Sequence, residues 1–190
     1  MTLIPLDNHV LPYIREELAK PHPLAEELSL LPWDQGALWA FAPGGNSREE
    51  RLECRNAFLN FIAVYLRAGG FRALIMSNPY LKYANNTALQ RLRLGRAWTD
   101  WLPCGDYVCF YTNETADVIQ IIHLFDDVQA STTFGVLVRD IAVPSHDKLS
   151  PERVHTLVSY ADYALFEIDS YDNSAVLIWS RTGKIGNEAQ

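Results

Sequence analysis

With 190 residues, 48% hydrophobic and 21% charged, the chain has ample apolar material for one core, which excludes a disordered polymer and favours a single globular domain over 1–190. A formal charge of −7 argues against nucleic acid as a partner. Even the apolar run Val118 to Phe125 is interrupted by Gln120 and His123 and falls far short of the roughly 18 residues that span a bilayer, and Met1 to Leu11 shows no leader pattern, so a cytoplasmic protein with no membrane partner is expected.

Residues 1–32 read as an N-terminal helical segment packed on the domain. His9 to Lys20 has helical composition, Pro21-His22-Pro23 ends it by restricting the residue before each proline, and Leu24 to Leu30 fits a second short helix. Ala37 to Ala42, with Trp39 and Phe41, reads as a buried strand closed by Pro43-Gly44-Gly45-Asn46. The helix after it is the clearest element. Ser47 and Glu50 form a capping box, Cys54, Phe58, Phe61, Ile62 and Tyr65 recur at helical spacing, and Gly69-Gly70 supplies the stop. Its exposed face is expected to carry Arg48, Arg51, Arg55 and Arg67.

Phe71 to Met76 follows as a strand. Thr87 to Leu102 is expected as a helix capped by Thr87, although Gly95 and the alternation Leu92-Arg93-Leu94 suit a strand. Tyr107 to Tyr111 is a strand. Ala116 to Val128 offers a helical stripe through Val118, Ile121, Ile122, Phe125 and Val128, while its β-branched density favours a strand. Phe134 to Val138 is a strand, with Ile141 to Pro144 extending or flanking it. Ser150-Pro151-Glu152 starts a helix whose buried stripe is Val154, Leu157, Val158 and Ala161. Tyr163 to Asp169 and Ala175 to Ser180 form a C-terminal β-hairpin, and 183–190 is a polar, frayed tail. The sum is an α+β (mixed α/β) fold: about six strands in a mixed or mainly antiparallel sheet, with about four to five helices.

The charge is unevenly distributed. Residues 1–47 sum to −4, 48–100 to +5 and 101–190 to −8. Cys54, Cys104 and Cys109 match neither a zinc ribbon nor a disulfide framework and read as buried thiols. No phosphate-binding loop, dinucleotide fingerprint, His-Glu-x-x-His or nucleophile elbow is present, so no catalytic residue, cofactor or metal is assigned. The turn Pro43 to Ser47 joins strand to helix, but Glu49 and Glu50 in the first helical turn would repel a phosphate.

Three constellations remain. His123 would lie three and four residues from Asp126 and Asp127 on a helix, close enough for ion pairing. Glu167 and Asp169 would share one face of a strand, with Asp172 in the following turn and Asp162 before it, and three such carboxylates suit a divalent cation. The alternation of Leu165, Glu167 and Asp169 against Phe166 and Ile168 instead describes a half-solvated antiparallel strand, the reading that is preferred. Arg91, Arg93 and Arg96, with Trp98 and Trp101, form a basic and aromatic cluster suited to an anion, a single-stranded nucleic acid or a protein.

The expected function is that of a non-catalytic binding protein, an inhibitor of the immunity-protein type whose partner is another protein such as a basic toxin or enzyme. Asp126, Asp127, Glu167, Asp169, Tyr171 and Asp172 are its candidate contact residues, and Arg91, Arg93 and Arg96 an alternative anion site. The competing expectation is a small metal-dependent hydrolase or nuclease built on the clustered carboxylates.

Overall fold

The computed structural model describes residues 3–6, 29–33, 35–41, 47–77, 101–104, 107–127, 132–139, 149–169 and 174–186. Within them lie strands β1 (Ile4–Pro5), β2 (Ala37–Phe41), β3 (Phe71–Ser77), β4 (Trp101–Cys104), β5 (Tyr107–Thr112), β6 (Thr132–Arg139), β7 (Tyr163–Asp169) and β8 (Ser174–Ser180), and helices α1 (Arg48–Ala68), α2 (Thr115–Asp127) and α3 (Pro151–Ser159). The strands form one sheet in the order β1-β2-β8-β7-β6-β3-β5-β4, and every pairing is antiparallel. The fold is α+β, as expected, with the terminal β7–β8 hairpin in place. None of the described helices is long and apolar enough to cross a membrane.

Two strands exceed the six expected: β1, within the segment 1–32 read as helical, and β4. Trp101 and Leu102, expected at the end of a helix, belong to β4, where Leu102 lies opposite Cys109. The residues between β4 and β5 are Gly105 and Asp106, a two-residue hairpin signal that outweighs helical composition upstream. The segment from Ala116, open between helix and strand, is helical through Asp127 as part of α2 (Thr115–Asp127). Thr112 Oγ1 accepts from the Glu114 N–H and donates to the Asp117 carboxylate, fixing the start of that helix. The expected helices His9 to Lys20 and Leu24 to Leu30, and Thr87 to Asp100, lie mainly outside the described residues.

Both faces of the sheet are covered, which is unusual for an antiparallel sheet and explains why its central strands are apolar almost throughout. One face carries Ala73, Ile75, Phe110, Leu137, Leu165, Val176 and Ile178 and packs against α1 and α2 through Phe58, Phe61, Ile62, Val118, Ile121 and Ile122. The other carries Leu74, Met76, Phe134, Val136, Phe166 and Trp179 and packs against α3 through Val154, Leu157 and Val158. On that second face Trp33 stacks on Phe166 at 5.6 Å and Phe166 on Phe134 at 5.0 Å, so aromatic contact pins residues 31–33 to the sheet. Within the segment expected as a tail, Ile185 is buried and the Gly186 N–H donates to the Tyr65 hydroxyl.

Gly135 lets α1 sit close to the sheet. A Cβ there would lie 3.1 Å from Phe58 Cζ and 3.4 Å from Ile62 Cδ1. Gly135→Val is therefore expected to cost about 1–3 kcal/mol by overpacking, read as a lower urea midpoint. An unchanged midpoint would mean that α1 can lift away freely.

The capping box forms as the sequence predicts: the Glu50 N–H donates to Ser47 Oγ at 3.2 Å and the Ser47 N–H to Glu50 Oε2 at 2.7 Å. Those bonds favour the ionised carboxylate and hold the Glu50 pKa below its ordinary value. Ser47→Ala is expected to cost about 1 kcal/mol at neutral pH. Because the folded pKa is the lower one, the carboxylate's stabilisation is complete above the ordinary range and is lost as pH falls through the depressed value. The gap between wild type and Ser47→Ala should accordingly narrow in acid; a gap independent of pH would contradict the reciprocal cap.

Candidate functional site

The antiparallel topology assigns every strand end to one of two ends of the sheet. Because Thr132 lies opposite Ile168, and Asp169 opposite Ser174, the beginning of β6, the close of β7 and the beginning of β8 share one end. Phe41, the last residue of β2, lies opposite Val176 at that end, and α1 starts seven positions beyond its close. Helix α2 leaves β5 at the far end and returns over β3, so its last residue, Asp127, lies five positions before Thr132. The backbone thus carries three of the candidate acids, Asp126, Asp127 and Asp169, to one end of the sheet. Tyr171 and Asp172, in the β7–β8 connection, and Arg91, Arg93 and Arg96 lie outside the described residues.

Glu167 behaves differently. The half-solvated β7 expected from its alternation does not form, because α1 covers the face that Leu165 and Glu167 share while Phe166 enters the opposite core. Glu167 is only 7% exposed, and its Oε1 lies 3.3 Å from Arg55 Nε. It is an internal ion pair between helix and sheet rather than part of an outer surface. Asp162 is also separated from the acidic end: it precedes β7, at the other end of that strand, and pairs with Arg139 at 3.3 Å. Among the described residues, no three His, Cys, Asp or Glu side chains are grouped closely enough to hold a metal ion.

Arg55, expected on the solvent face of α1, is the residue of the pair with Glu167 that the sequence does not reveal. The signal was its position beside Cys54 and three residues before Phe58, on the margin of the apolar stripe. Its partner was hidden because helix and strand meet only in space.

The outer face of α2 is defined by Ala116, Ile119, Gln120 and His123, all exposed and spaced as one helical stripe. Ile119 is 41% exposed, one of four large apolar side chains open to solvent among the described residues. From Tyr107 to Asp127 the chain has four acids, Glu114, Asp117, Asp126 and Asp127, and no Lys or Arg. Cys54 and Cys109 are fully buried on opposite faces of the sheet and take no part in this surface.

No family model, curated protein or solved structure matches the chain.

Proposed function

We propose that the protein is a non-catalytic binding protein that covers a basic site on another protein, in the manner of an inhibitor or immunity protein. Its docking surface is the acidic end of the sheet continued along the outer face of α2. The observation that carries this reading is the pair Asp126 and Asp127 in the last turn of α2, where no basic residue is present. A helix gathers partial negative charge at its C-terminus, so each carboxylate there costs from a few tenths to about 1 kcal/mol at low salt. A sequence optimised for stability alone would place Lys or Arg at those positions. Acids retained against a local cost fit a surface shaped by recognition, since functional sites are where such local rules are broken. The same field would speed encounter with a cationic partner, and Ile119 adds apolar contact area beside it.

The test separates stability from binding. The double variant Asp126→Asn with Asp127→Asn should unfold at a higher urea concentration than wild type, yet retain less of the stoichiometric protein partner captured from the native host cells. Ile119→Arg should lose the partner with its urea midpoint unchanged. Rising salt should release the partner from wild type, because exposed charges are screened over about 10 Å at 0.1 M. A double variant that is no more stable, or that holds the same partner at the same salt, overturns the proposal.

A further inference from the structure

We draw no further inference here: the strongest candidate, the side-chain cluster at the amino end of α3 where the Arg153 and Arg72 guanidinium carbons lie 5.1 and 5.7 Å from the Tyr111 ring centroid, is a helix N-terminus beside two cations with no second observation that points to a ligand.

Discussion

Gly36→Ala is expected to lower the free energy of unfolding by at least about 3 kcal/mol, a large part of the roughly 5–15 kcal/mol that holds a domain of this kind folded. Two costs combine. Gly36 has φ +86°, a backbone conformation that strains any residue bearing a Cβ by about 1–3 kcal/mol. The Cβ itself would lie 1.9 Å from the Ser180 carbonyl oxygen, a backbone atom that cannot rotate away. Relief requires β2 to separate from β8 at the Ala37–Ser180 pair, and the Trp179 indole N–H, which donates to the Gln35 carbonyl at 3.0 Å, would be disturbed with it. Urea unfolding followed by tryptophan fluorescence measures the loss. A fall below about 1 kcal/mol would show that the close approach of these two strands is not required.

The second large effect is expected at the ion pair beneath α1. Arg55→Ala should cost about 3 kcal/mol, near the lower limit for breaking a buried pair because the Arg55 side chain retains 25% exposure. The loss comes chiefly from stranding the carboxylate of Glu167, whose side chain is only 8% exposed, under the helix. The pair itself contributes little net stability, since its attraction is set against the desolvation of both ions. Arg55→Met combined with Glu167→Leu should therefore be markedly more stable than Arg55→Ala, and close to wild type. Thermal unfolding of the four proteins, wild type, Arg55→Ala, Glu167→Leu and the double variant, makes the comparison. If the double variant is as unstable as Arg55→Ala, the pair provides more than charge compensation and the electrostatic account fails. Partner capture by the double variant should match wild type, which distinguishes this internal pair from the acidic docking surface.

The local signals were legible wherever neighbouring residues settle the structure among themselves. Ser47 and Glu50 cap α1 through bonds spanning three residues, and Ser150 caps α3 in the same local way. The six expected strands all occur, with ends displaced by a residue or two, because short apolar β-branched runs bounded by turn residues carry their own preference. Ala116 to Val128 was ambiguous for a physical reason: Ile and Val suit a pleated sheet, whereas the recurrence of Val118, Ile121 and Ile122 suits a helix. Docking of that recurrent face against α1 and the sheet resolved it.

By itself, the sequence determined an α+β chain with an acidic C-terminal half, a doubly capped α1 and a terminal hairpin, because composition, caps and periodicity act over a few residues. Tertiary structure alone decided that the sheet is buried on both faces, that Glu167 turns inward to Arg55, and that α2 brings Asp126 and Asp127 to the end of the sheet where β7 closes at Asp169. Burial and long-range pairing depend on which elements cover one another, and that choice is made by packing between segments far apart in the chain.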